Sequence, residues 1–163
     1  MNQSKIVFYH ENYISELKSL LKEYDVSASY ITLEVLESTV IEDFKLFNQI
    51  LLEVKKLGFS VSLDDFGSGY SSLNVLSKLT IDELKIDRIF LHIDSDLENK
   101  KTKWILEGII NIAKKSNIRV VVEGVESSKD DEFIRCLGAN VGQGYYYSRP
   151  LSIDAFNDLI HKK

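Results

Sequence analysis

Residues 58–73 read GFSVSLDDFGSGYSSL. Gly58 follows a helix-spaced segment, and FSVSL reads as a short buried strand. Asp64 and Asp65 stand at the end of that strand. A loop with Gly67, Gly69 and small hydroxyl residues comes next. Two adjacent carboxylates in this place are either turn caps, because Asp is favoured before glycine-containing loops, or members of a site. The surrounding sequence decides between the two.

Working outward, apolar spacing alternates between the two periods. Tyr13, Ile14, Leu17, Leu20, Leu21 and Tyr24 recur at helical spacing, and YITLEVL (30–36) reads as a strand. Phe44, Phe47, Ile50, Leu51, Val54 and Leu57 mark a second helix that Gly58 stops. After FSVSL come a short helix over about 73–79, the strand DELKID (82–87), a long helix around Ile105–Ala113 and the β-branched strand IRVVVEG (118–124). Ser127 is placed to cap a helix that runs to Leu137 and is ended by Gly138. ANVGQGYYY (139–147) is a short strand or extended segment, and Ile153, Phe156, Leu159 and Ile160 form a last helix. Repeated strand–helix alternation implies an α/β fold of parallel strands covered by helices. An open doubly wound sheet and a (β/α) barrel both fit. No GxGxxG or P-loop follows a strand, which weighs against a nucleotide-binding open sheet.

One domain is expected over residues 1–163. The chain has one proline and no linker or low-complexity segment, and its 44% hydrophobic and 28% charged residues are a globular composition. A net charge of −5 weighs against DNA or RNA as a partner. The single cysteine, Cys136, has no partner for an internal disulfide, so a reducing, cytoplasmic setting is expected. Its helical neighbours suggest a small packed apolar side chain there. No apolar run approaches the ~20 residues of a membrane span, so direct membrane insertion is not expected. His10, His92 and His161 are scattered and read as surface or structural residues.

Polar side chains gather where strands end: Glu34 in TLEVL, Asp64 and Asp65 after VSL, Lys85 in LKID, Glu123 after RVVV and Gln143 in NVGQG. Each has an ordinary structural explanation alone. Glu34 fits an exposed strand position, Lys85 fits snorkelling past Leu84 and Ile86, and Glu123 and Gln143 fit loop roles. In a parallel barrel, however, strand carboxyl ends converge on one face, and in an open sheet they line one crevice. Four carboxylates brought together there repel one another unless cations compensate. An oxygen-only donor set favours Mg²⁺ or Mn²⁺ over zinc.

The blocks LEVLES, SLDDFGSGYSSL, LKIDRIF, VVEGVES and GQGYYYSRPL occur in an order and spacing that resembles the EAL family of bacterial cyclic-di-GMP phosphodiesterases, across essentially the whole chain. The resemblance implies a modified TIM barrel that uses two Mg²⁺ or Mn²⁺ ions to hydrolyse cyclic-di-GMP to linear pGpG. Matched by motif, Glu34 and Asp65 would bind metal, and Asp64 would bridge the two ions. Lys85 would orient or activate the attacking water. Glu123 would act as metal ligand or base, and Gln143 would hold the water or substrate side. Glu37 would brace the DDFG loop, whose Gly67 and Gly69 give it backbone freedom. Arg149 and Pro150 match the RP pair near a guanine. MNQS at the start resembles a family segment in which the asparagine binds metal, which makes Asn2 a candidate ligand. The family's signature Glu-Ala-Leu segment is not found, so the barrel is expected to be incomplete at the N-terminus by one or two strands. The alternative is a catalytically inactive EAL-like module that binds cyclic-di-GMP or a protein partner. Members of the family dimerise near the DDFG loop, which makes a homodimer the candidate assembly.

Overall fold

Alternating spacing becomes alternating elements. A computed structural model describes residues 1–41, 44–68, 73–91 and 96–161. The strands are β1 (Asn2–Gln3), β2 (Thr32–Leu36), β3 (Ser60–Phe66), β4 (Glu83–Ile86), β5 (Arg119–Val122) and β6 (Val141–Gly142). The helices are α1 (Lys5–Phe8), α2 (Tyr13–Glu23), α3 (Phe44–Lys56), α4 (Leu73–Lys78), α5 (Asp96–Lys115), α6 (Ser128–Cys136) and α7 (Ile153–His161). Short 3₁₀ turns occupy Glu37–Ile41 and Arg88–Phe90. Among the described residues no helix is long and apolar enough to cross a membrane.

Sheet order settles the choice between the two α/β architectures. The strands are all parallel and run β1-β2-β3-β4-β5-β6 without reversal. A doubly wound sheet reverses its order at a switch point, and this one has none. Parallel crossovers are right-handed, so a sheet advancing in one direction puts its helices on one face and curls in the manner of a TIM barrel. Within the sheet, β1 and β6 are the bordering strands.

Register shows what each face carries. Leu33 stands opposite Val61 and Val35 opposite Leu63, while Leu84 pairs with Val120 and Ile86 with Val122. All eight are at most 1% exposed and share a core with Phe47, Leu51 and Val54 of α3 and Leu106, Ile110 and Ala113 of α5. Each such side chain contributes roughly 1.5–3 kcal/mol when removed from water. Strand side chains alternate between faces, so the opposite face carries Glu34, Ser62, Asp64, Glu83 and Lys85. The sheet is apolar under its helices, and its other face carries these polar side chains.

Helix limits follow from local chemistry. Phe47, Leu51 and Val54 make one buried stripe, and Gly58, at φ +97°, reverses the chain after α3. Ser127 caps α6 in a capping box with Asp130. Three features depart from the sequence reading. The short α1 was not visible in the spacing; it delivers Phe8 onto Phe47 and Tyr13, with ring centroids 4.9 and 5.4 Å apart. Cys136 is exposed rather than packed, because the inward face of α6 is taken by Ile134 and Leu137. The third departure concerns the opening acids: β3 continues through both of them to Phe66. Of the histidines, His10 lies beside Glu16 at the surface, 3.9 Å away. His161 is exposed, and His92 lies outside the described residues.

Candidate active site

In a regular strand Asp64 and Asp65 would point to opposite faces of the sheet. Here the pairing of β3 with β4 shifts between Leu63 and Phe66. Asp65 takes a left-handed backbone, φ +58°, which Asp tolerates better than most residues. A bulge of this kind re-aims side chains. The result is that carboxylate oxygens of Asp64, Asp65 and Glu123 all lie within 4.8 Å of one another. Gly67 then turns the chain at φ +102°, where a Cβ would sit 2.1 Å from the Phe90 ring. Gly69 and the rest of that loop lie outside the described residues.

Lys85 is the hub of the cluster. Its Nζ donates to Asp64 Oδ1 at 2.9 Å and to Glu123 Oε1 at 2.7 Å, with Glu34 Oε1 at 3.6 Å. Burial alone would lower its pKa, yet the hydrogen bonds and charges of Glu123 and Asp64 outweigh that and hold it above the ordinary lysine value. It is therefore a fixed ammonium. One ammonium does not neutralise Glu34, Asp64, Asp65 and Glu123. Burial pushes the Asp65 carboxyl up, and the like charges of Asp64 and Asp87 push with it against Lys85. Burial likewise raises Glu123, with Asp64 and Asp65 adding to the rise and Lys85 opposing it. A partly desolvated carboxylate group with an unbalanced negative charge is an oxygen-donor site suited to hard divalent cations. Ser62 Oγ, fully buried on the same face of the sheet, has no hydrogen-bond partner among the described residues.

The remaining candidates fall around this hub. Asn2 pairs in register with Glu34 on the neighbouring strand. Glu37, 7% exposed, opens the 3₁₀ turn that follows β2 and packs on β3. Glu123 and Gln143 are set at adjacent strand ends, through Glu123 N–H to Ile86 O (2.9 Å) and Gln143 N–H to Val122 O (2.8 Å). Together with Asp87, Arg88, Glu126 and Tyr145 they line a cleft of about 280 Å³. Arg149 lies over the Tyr145 ring, 4.6 Å from its centroid, and Pro150 follows on an exposed segment.

Asp87, Arg88, Glu126 and Tyr145 were not singled out from the sequence. The signal for the first two was their place directly after LKI, where a parallel strand ends. Asp87 is partly explained by a structural task, since its carboxylate caps Ile89 N–H at 2.8 Å. Gly144 makes the cleft wall possible: a Cβ there would meet the Val125 carbonyl oxygen at 2.1 Å, so only glycine lets these two loops touch.

The chain is similar to known proteins in sequence and in fold. The family model for the EAL domain matches residues 1–150. MucR of Pseudomonas aeruginosa, a bifunctional diguanylate cyclase/cyclic di-GMP phosphodiesterase, is 35% identical over 151 residues, which cover 93% of this chain and 22% of MucR. A structure of the MucR phosphodiesterase in complex with c-di-GMP superposes with a TM-score of 0.84 at 34% identity, over 95% of this chain and 62% of that one. The manganese/cy-diGMP complex of Klebsiella pneumoniae BlrP1 gives 0.81 at 27% identity, over 92% of this chain and 38% of that one. The chain spans about a fifth of the length of the curated relatives it matches. It belongs to the EAL domain family.

Proposed function

We propose that this chain is a metal-dependent phosphodiesterase that hydrolyses cyclic-di-GMP to linear pGpG in bacterial second-messenger signalling. The observation that carries the reading is the convergence of Asp64, Asp65 and Glu123 on one point beside the Lys85 ammonium. Asp64 and Asp65, aimed together by the bulge, would hold two divalent cations, Mg²⁺ or Mn²⁺, with Glu34, Glu123 and Asn2 completing the donor set. Such cations, when bound, neutralise a phosphodiester and acidify a coordinated water.

The chain's own residues do the rest. Lys85 cannot serve as a base while it is held as an ammonium. It stabilises negative charge near the attacking oxygen and orients that water. Glu123, at the cleft edge, acts as metal ligand or as the base that takes a proton. Gln143 offers an amide across the same cleft. Glu37 would brace the Asp64–Gly67 segment, and Arg149 with Pro150 would border the base-binding side. The presence of one cysteine suits a reducing cytoplasm, and a homodimer formed near the DDFG loop is the proposed assembly.

The test is turnover. Folded protein incubated with cyclic-di-GMP and Mn²⁺ or Mg²⁺ should release pGpG, and Asp64→Asn should abolish it. Tight binding of cyclic-di-GMP without pGpG under either metal would establish the inactive binding module instead.

A further inference from the structure

The first turn of α6 carries two consecutive aspartates with different targets. Asp130 Oδ2 accepts Glu126 N–H at 3.1 Å and Ser127 N–H at 2.9 Å, which fixes the loop leaving β5. Asp131 Oδ1 accepts the Tyr147 hydroxyl at 2.5 Å, and its Oδ2 accepts Arg135 Nε–H at 2.8 Å. Tyr147 belongs to the loop leaving β6. Its hydroxyl lies so close over Gly142 that a Cβ there would be 2.3 Å away. The two loops also meet directly: Val125 N–H donates to Gln143 O at 3.1 Å and Tyr146 N–H to Val125 O at 3.0 Å. One loop carries Glu123 and the other Gln143, and the cleft lies between them.

We propose that Asp131 and Tyr147 are positioning residues: with Asp130 they form a bracket on α6 that sets the separation of the Glu123 and Gln143 loops and so the width of the cleft. Neither side chain lines the cleft, so the effect is transmitted through Gly144 and Val125. A charge-assisted hydrogen bond on rigid backbone holds geometry tightly, and substrate sites lose binding when their walls drift. This inference rests on the phosphodiesterase reading for its kinetic arm only.

Tyr147→Phe removes the hydroxyl and keeps the ring. The expected result is a KM for cyclic-di-GMP raised about 3- to 10-fold with kcat within about twofold, because the lost bond is charge-assisted but partly solvated. Asp131→Asn keeps an acceptor for the phenol and should be milder than Asp131→Ala. The second readout is amide hydrogen exchange in metal-free protein: 143–147 should exchange faster in Tyr147→Phe while β3 and β4 do not change. Unchanged exchange overturns the bracket. Faster exchange with unchanged KM also overturns it, as does a loss of kcat that follows a lowered unfolding midpoint. If the wild-type chain proves inactive, the phosphodiesterase reading fails separately, and the exchange result alone decides for or against the bracket.

Discussion

Replacing Lys85 with methionine isolates the electrostatics of the site. Methionine keeps most of the side chain's length and apolar stem but removes the ammonium. Lys85 is 6% exposed and makes ionic hydrogen bonds of 2.9 and 2.7 Å to Asp64 and Glu123, whose side chains are 12% and 20% exposed. Breaking a fully buried pair costs about 3–5 kcal/mol. The partners' residual exposure brings the figure here to about 2–3 kcal/mol. For a chain of this size about 1 kcal/mol moves Tm by roughly 2–4 °C, so Lys85→Met in chelator should melt about 4–12 °C below wild type. The variant cluster is more negative, so adding Mn²⁺ should raise its Tm by more than it raises that of wild type. Calorimetry of both proteins, with chelator and then with Mn²⁺, measures both differences. Equal melting in chelator would refute the claim that Lys85 is the counter-ion of these acids. A smaller Mn²⁺ shift in the variant would refute the claim that the same carboxylates hold metal.

Three further outcomes are expected. Ser62→Ala removes a buried hydroxyl with no hydrogen-bond partner among the described residues, so stability by denaturant titration should stay within about 1 kcal/mol of wild type or rise. Gly67→Ala forces a Cβ against Phe90 at a positive φ; it should destabilise by at least about 1 kcal/mol and weaken metal binding, as read by denaturant titration and calorimetric metal titration. The Asp131–Tyr147 bracket has a defined pH window. The hydrogen bond from Tyr147, and then Arg135, lowers the Asp131 carboxyl, so its contribution is full above the ordinary carboxylate value and fades as pH falls through the lowered one. Burial, then Asp131, pushes the Tyr147 phenol up to about 12, so its contribution is full below the ordinary value and fades as pH rises through the raised one. Exchange in 143–147 should therefore be steady, after correction for intrinsic rates, between about pH 5 and pH 10. Asp131→Asn should remove the acid limb.

Much of the architecture was legible because it depends on periodicity. The stripe Phe47, Leu51, Val54 and the β-branched run Val120–Val122 each permit one packing partner, and the order of strands and helices followed. Residues Glu34, Asp64, Lys85, Glu123 and Gln143 were legible as a set because parallel strands bring their carboxyl ends together. What spacing could not show was how adjacent acids reach one point. That depends on a register shift against β4 and on Asp65 at positive φ, and both are tertiary features. Asp131 and Tyr147 were likewise invisible, since sixteen residues separate them and their pairing exists only once α6 docks beside β6. Periodicity alone left an open sheet and a barrel both standing; the resemblance pointed to the barrel, and the unreversed strand order agrees with it.

Asp64, Asp65 and Glu123, with Lys85 beside them, are the residues proposed to hold the divalent cations of a cyclic-dinucleotide phosphodiesterase. Crystals grown with Mn²⁺ and cyclic-di-GMP, and measured at the manganese absorption edge, test this assignment most directly. Anomalous density is expected between the Asp64, Asp65 and Glu123 carboxylates, in contact with a phosphate and lost in Asp64→Asn. Bound cyclic-di-GMP with no manganese at those carboxylates would contradict it.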